Sequence, residues 1–293
     1  MRILITGGGG QVGWELRRTL AVIGEVIAPP RATLDLAAPD SIVAAVRDAR
    51  PDLIVNSAAY TAVDKAESEA DLAMKINGDA PRILAEEASR LGAALVHFST
   101  DYVFDGSKSS GYREEDSPAP VNVYGSSKLA GEQAVLSLGA NHLVFRTSWV
   151  YAARGRNFLL TILRLARERK ELKIVDDQVG APTPARLVAE ATTLAISACV
   201  RNGAIDADRF RRNSGLYHMT AGGSTSWFGF AQAILAGRKD VATLLAIPTS
   251  EYPTPARRPR NSVLDNGKLS AQFGIKLPDW KAGLALCLEE LHA

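Results

Sequence analysis

The sequence predicts an α/β protein: a doubly wound parallel sheet with a smaller C-terminal lobe. Three observations predict it. Short runs that are apolar throughout alternate with helical patterns over the first half of the chain, a glycine-rich turn follows the first run at once, and the alternation loosens after Trp149. Strands with no polar face, separated by helices, belong to a parallel sheet covered on both sides. The 293 residues suggest two domains at roughly 150 residues each. We place them at 1–150 and 151–293, the second half being free to return strands or helices to the first.

Taken in order, Ile3-Leu4-Ile5 forms the first strand. Gln11 to Ile23 forms a helix with Val12, Leu16, Leu20 and Ile23 on its apolar face. Val26-Ile27-Ala28 is the second strand, and Asp40 caps a helix that faces inward through Ile42, Val43 and Val46. Leu53-Ile54-Val55, Ala94 to Phe98 and Leu143-Val144-Phe145 are the third, fourth and fifth strands. Beyond Trp149 come a basic amphipathic helix from Asn157 to Lys170, a strand from Leu172 to Val175 and a turn at Ala181-Pro182-Thr183-Pro184. Helices follow near Arg186 to Ala198, Trp227 to Ala236 and Trp280 to Leu291. Tyr252 to Pro259 is too rich in proline for a helix or a central strand.

Composition is that of a globular protein, 46% hydrophobic and 23% charged. A net charge of +2 gives no sequence-independent attraction to nucleic acid. Cys199 and Cys287 are far apart and belong to no Cys-x-x-Cys pair, so they are expected as buried thiols in a reducing compartment. The N-terminal apolar stretch is too short for a secretory signal, and no run approaches a membrane span. The expectation is a cytoplasmic protein with neither nucleic-acid nor membrane partners.

Gly7, Gly10 and Gly13 stand at Gly-x-x-Gly-x-x-Gly spacing between a strand and a helix. That context makes a Rossmann-type dinucleotide turn, with amide donors and the helix dipole facing a pyrophosphate. The acid that ordinarily holds the ribose 2′-hydroxyl at the end of the second strand is missing, since the stretch reads Ala28-Pro29-Pro30-Arg31. Arg31 either pairs with a 2′-phosphate or is a solvated surface residue; the first reading favours NADPH, with NADH also accepted. Asp35 and Leu36, slightly further on, are expected to border the adenine.

Tyr124 and Lys128 lie four residues apart at the start of a helical pattern and so share a face. A lysine cation beside a phenol favours the phenolate, which is expected to lower the Tyr124 pKa. Such a phenol can pass a proton to a carbonyl oxygen while hydride arrives at carbon, and Lys128 can reach a nicotinamide ribose. Thr100 ends the fourth strand at the carboxyl edge, where ligands bind in doubly wound sheets, and can donate to the same oxygen.

With these residues in place, the chain resembles the dTDP-4-dehydrorhamnose reductase family among the extended short-chain dehydrogenases. The likeness is carried by Gly10-Gln11-Val12-Gly13-Trp14-Glu15-Leu16, Val63-Asp64-Lys65-Ala66-Glu67, Ser99-Thr100-Asp101-Tyr102-Val103-Phe104 and Asn122-Val123-Tyr124-Gly125. It continues through Lys128-Leu129-Ala130-Gly131-Glu132, Phe145 to Tyr151, Asp177 to Thr183 and Pro253 to Pro259. The resemblance implies reduction of dTDP-6-deoxy-L-lyxo-4-hexulose to dTDP-L-rhamnose by NAD(P)H, the last step of dTDP-L-rhamnose synthesis for cell-surface polysaccharide. It implies Tyr124 as proton donor, Lys128 as cofactor-ribose contact and Thr100 as third catalytic residue. It places Thr100, Asp101 and Trp149 against the substrate, Gly10, Gln11 and Val12 at the pyrophosphate, and Ala58, Ala59 and Tyr60 along the cofactor. Many members carry His where Tyr60 stands, and often Asp where Pro30 stands. Some members hold magnesium with carboxylates at a dimer interface. Glu15 and Glu290 match such ligands, but Arg186 stands where another acid aligns, so no tightly bound metal is expected; a homodimer is left open.

Arg257, Arg258 and Arg260 sit in the proline-braced segment and are either a solvated loop or a diphosphate clamp, the latter favoured with Arg257 as its substrate contact. His97 lies inside an apolar strand as a satisfied core histidine, while His142, His218 and His292 make no metal-ligand spacing. Ser99 has no histidine base in a nucleophile motif, which argues against a hydrolase. Two rival functions stand beside the reductase. One is another nucleotide-sugar epimerase or reductase; a dehydratase is disfavoured because Tyr102, not an acid, follows Thr100-Asp101. The other is a non-catalytic regulatory subunit resembling that of methionine adenosyltransferase.

Overall fold

Residues apolar on both sides of the backbone must be covered from both sides, and the structure, a computed structural model describing residues 1–138, 141–239 and 241–291, does this with helices. The sheet contains β1 (Arg2–Thr6), β2 (Glu25–Ile27), β3 (Leu53–Asn56), β4 (Ala94–Thr100), β5 (His142–Thr147) and β6 (Gly215–His218). Their spatial order is β2-β1-β3-β4-β5-β6, each neighbouring pair parallel. The strand period of two divides β1 between two cores. Ile3 and Ile5 pack with Val188 and Ile196 on one face, and Leu4 packs with Ile42, Val46 and Leu84 on the other. The first face carries α1 (Gln11–Thr19) and the second carries α2 (Pro39–Ala49) and α3 (Ala80–Leu91). The chain leaves β1 toward β2 and returns on the other side to β3, so the carboxyl ends of β1 and β3 flank a crevice at a topological switch point.

α4 (Val123–Ser137) packs beside α3 and β4. The C-terminal lobe is built from α5 (Phe158–Glu168), α7 (Trp227–Leu235) and α8 (Trp280–Glu290), around Tyr151, Leu159, Phe230, Ile234 and Trp280. The second half also returns to the sheet: β6 extends its edge, and α6 (Ala185–Ser197) lies against α1. A boundary at 150 therefore separates the sheet from two of its own elements.

Several local expectations shift. α1 gives way after Thr19 to a 3-10 turn over Leu20–Val22. Asp40 does not cap α2; Pro39 takes the first helical turn with Ala38 at the cap position, and Asp40 sits inside that turn facing the helix dipole. Within the expected turn, Thr183–Pro184 pairs with Val150–Tyr151. His97 is only half satisfied: Asn56 Nδ2 lies 3.0 Å from its Nδ1, while Nε2 is buried with no partner among the described residues. Both cysteines are buried thiols, and His292 lies outside the described residues. Among the described residues no helix is long and apolar enough to cross a membrane.

Candidate active site

The glycine turn is built for close approach. Gly7 has φ +68°, a left-handed conformation that costs glycine nothing. A Cβ on Gly13 would stand 2.2 Å from the Gly7 carbonyl oxygen and 2.8 Å from Ser57 Oγ, so only glycine lets α1 close onto β1 and β3. Gly10 is the N-cap of α1, and its N–H donates to the Gly7 carbonyl at 2.8 Å. Around Gly9 a Cβ would meet nothing within 4 Å, so the turn presents open space in front of the helix N-terminus. That cradle fits a dinucleotide pyrophosphate. Val12 packs into the core behind it. Gln11 Oε1 accepts from Asn157 Nδ2 at 2.8 Å, tying the turn to the cap of α5 in the C-terminal lobe.

Across the crevice, the segment after β3 is held in place. Ala58 N–H donates to Thr6 Oγ1 at 3.1 Å, and Ala59 follows it on the crevice side of Asn56. Tyr60 is gripped by Asn77, whose Oδ1 accepts the Tyr60 N–H at 2.8 Å and whose Nδ2 donates to the Tyr60 carbonyl at 3.0 Å. The same amide lies 3.0 Å from Ser127 Oγ, next to Lys128. Sequence reasoning missed Asn77; it sits in a π-helical turn over Lys75–Asp79 that no spacing rule announces. The Tyr60 hydroxyl donates to Glu69 at 2.5 Å, which pushes its pKa up to about 12.

At the second strand's end Arg31 is 75% exposed and 3.6 Å from the half-exposed Asp35 carboxylate. Asp35 also accepts the Ala37 N–H at 3.0 Å, and the Leu36 side chain is buried in the core. Any adenine contact by Leu36 therefore falls to its backbone.

Thr100, Tyr124 and Lys128 come together at the carboxyl end of β4. Thr100 is buried and donates to Asp101 Oδ1 at 3.0 Å. Its Oγ1 also accepts the Tyr102 N–H at 3.2 Å. Lys128, on the next turn of α4, is buried with its Nζ on the Phe98 carbonyl. This corrects the expected electrostatics. Burial pushes the Tyr124 phenol up to about 12, with Thr100 pulling it down and Asp101 adding to the rise, while the ammonium points past it. Burial lowers Lys128 to about 8 against the pull of Glu132. Burial likewise raises Asp101 to about 7, against the downward pull of the Ser262 and Thr100 hydroxyls. The arrangement is a protonated phenol between a threonine hydroxyl and a lysine, facing the crevice that the glycine turn closes.

The lobe contributes an aromatic wall. Trp149 has φ +46°, a strained conformation for a side chain of its size, costing about 1–3 kcal/mol. Its indole stacks on Trp227, centroids 3.5 Å apart and planes 3° from parallel. A Cβ on Gly180 would come within 2.5 Å of that indole, which explains the glycine in the Gln178-Val179-Gly180 string. Beyond it a cavity of about 320 Å³ is lined by Asp64, Phe158, Trp227, Tyr252, Thr254 and Arg258. Of the proline-braced arginines the structure turns Arg258 inward and Arg257 and Arg260 outward. Arg257 offers its carbonyl to Asn122 rather than its guanidinium to the cavity. We expect Trp149→Ala to raise the KM for substrate about tenfold or more, with cofactor affinity nearly unchanged. Equal losses for both ligands, measured by initial rates and cofactor titration, would assign the indole a folding role instead.

The carboxylates that match a magnesium site are already bridged by protein. Arg186 reaches Glu15 at 3.4 Å and Glu290 at 2.6 Å, and Glu190 and Glu289 line the same cavity. A divalent cation there would stand beside a fixed guanidinium, so these residues do not fit one.

The chain matches the RmlD substrate binding domain family over residues 1–293. It is 53% identical to a dTDP-4-dehydrorhamnose reductase of Burkholderia thailandensis, with 99% of each chain covered. A crystal structure of a dTDP-4-dehydrorhamnose reductase from Clostridium acetobutylicum superposes with a TM-score of 0.92 at 36% identity, covering 100% of both chains. Another from Bacillus anthracis, in complex with NADP, superposes with a TM-score of 0.88 at 36% identity over 99% of each.

Proposed function

The chain belongs to the dTDP-4-dehydrorhamnose reductase family, and from that premise we infer how its own residues carry the reaction. It is an NAD(P)H-dependent oxidoreductase that reduces dTDP-4-dehydro-L-rhamnose to dTDP-L-rhamnose, the last step of dTDP-rhamnose synthesis. The bound nicotinamide supplies the hydride. The observation that carries the residue assignment is the meeting of Thr100, Tyr124 and Lys128 at the crevice closed by Gly7, Gly10 and Gly13. Thr100 and Tyr124 hold the keto oxygen, and Tyr124 gives it a proton as the carbon is reduced. Lys128 holds the nicotinamide ribose, Trp149 and Asp101 orient the sugar, and the lobe from 151 onward, less β6 and α6, binds the nucleotide. The test is substrate-dependent NADPH oxidation followed by identification of the sugar product. No oxidation with dTDP-4-dehydro-L-rhamnose would defeat the assignment.

We propose further that NADPH is the better cofactor. Arg31 is exposed and only loosely paired, so it can exchange Asp35 for a 2′-phosphate. A charge-assisted contact of that kind favours NADPH by about tenfold. Arg31→Ala is expected to erase the preference by weakening NADPH alone; an unchanged ratio of specificity constants would show that selectivity is set elsewhere.

The assembly we propose is a cytoplasmic homodimer through the Arg186 face, where Leu194 and Leu286 stand 59% and 51% exposed. Because Arg186 already bridges Glu15 and Glu290, a chelator is expected to change neither the sedimenting mass nor turnover. Dissociation by chelator would show that a metal is required.

A further inference from the structure

Three strings that the chemistry leaves unexplained meet beside Tyr124: the segment 63–67, the residues 122–125 that open α4, and the proline-braced strap 253–259. Asn122 is buried at the junction. Its Oδ1 accepts the Gly125 N–H at 2.7 Å, capping α4 just where Tyr124 enters it. Its Nδ2 donates to the Arg257 carbonyl of the strap at 2.8 Å. The segment 63–67 holds the same two partners. Glu67 Oε1 accepts the Val123 N–H at 2.9 Å. Asp64 receives the Arg258 guanidinium on both carboxylate oxygens, at 3.0 and 2.8 Å, and the Ala256 N–H at 3.3 Å. The fork leaves Arg258 occupied by protein, which makes it a fastener for the strap. The strap in turn supplies Thr254 and Arg258, with Tyr252 just before it, to the cavity beyond Trp227. Helix cap, fastener and cavity wall are thus linked through single side chains, and one amide spans the link.

Resting on the reductase reading, we propose that Asn122 is a positioning residue with two separable roles, its Nδ2 holding the 253–259 strap over the nucleotide sugar and its Oδ1 placing Tyr124. The two halves of its amide can be separated. Asn122→Asp keeps an oxygen for the Gly125 N–H and loses the donor to the Arg257 carbonyl; Asn122→Ser does the same without adding charge. Both are expected to raise the KM for the nucleotide sugar about tenfold and hold kcat within about twofold, the size of one lost hydrogen bond. Asn122→Ala removes the cap as well, so kcat falls too. Tryptic cleavage after Arg257 reads the strap without turnover. It is expected to accelerate in Asn122→Asp, and added dTDP should protect the native strap far better than the variant's. A fall in kcat with unchanged KM in Asn122→Asp and Asn122→Ser, or native rates of cleavage, would overturn this division of roles. If the unmodified protein oxidises no NADPH, the reductase reading falls and the cleavage comparison still decides whether Asn122 holds the strap: equal protection by dTDP refutes it.

Discussion

Tyr124→Phe is expected to lower kcat by about 10²–10⁴-fold, the usual worth of a positioned proton donor, while KM for the nucleotide sugar changes little. The phenylalanine ring keeps the packing, including the edge contact with Tyr102 at 5.7 Å. What is lost is the proton. With a pKa of about 12 the phenol is fully protonated at working pH. The alkoxide formed when a ketone accepts hydride is a stronger base still, so transfer from phenol to alkoxide runs downhill without prior activation. The pH profile should show the lysine instead. Burial depresses Lys128 to about 8, so its cation is present below that pH and lost as pH rises through it. Activity should fall on that alkaline limb, and Lys128→Met should remove the limb along with most of the rate. Near-native turnover in Tyr124→Phe, measured by initial NADPH oxidation, would move the proton donor to another group.

Much of this site can be read from residue order because its parts are local. An apolar run, three spaced glycines and a tyrosine four residues before a lysine each need only a few consecutive positions. The features that escaped the sequence depend on distant partners. β6 is Gly215-Leu216-Tyr217-His218, with no apolar run; it becomes a strand because the β5 edge offers it hydrogen bonds. Arg257 and Arg258 are indistinguishable by type, and only the Asp64 carboxylate arriving from 194 residues away decides which turns inward. The expected fall in the Tyr124 pKa rested on helical spacing alone. In the fold the Phe98 carbonyl takes the ammonium, and burial raises the phenol. Trp227 was legible only as the start of a helix, and its stacking on Trp149 depends on the lobe folding back over the sheet.

The second large effect is expected at Arg146, one strand away from the chemistry. Tyr124, Lys128 and Glu132 form one ridge of α4 at successive four-residue steps, and Arg146 on β5 bolts that ridge to the sheet. Its Nε and NH2 fork onto both Glu132 oxygens at 2.9 and 2.5 Å, with each side chain only 2% exposed. The guanidinium also lies 4.9 Å from the Phe104 ring centroid. Arg146→Ala leaves the buried Glu132 carboxylate without its forked partner, which costs about 3–5 kcal/mol. At about 2–4 °C per kcal/mol for a chain of this size, the midpoint of thermal unfolding should fall by roughly 6–20 °C. The double variant Arg146→Met with Glu132→Leu removes both charges together and should recover most of that loss. It should not recover the pH profile. Glu132 is the group that holds the Lys128 pKa up against burial, so without it the alkaline limb should move to lower pH in a protein of near-native stability. Recovery of stability with an unmoved limb would show that Glu132 serves packing alone and that Lys128 takes its charge balance from elsewhere in the crevice.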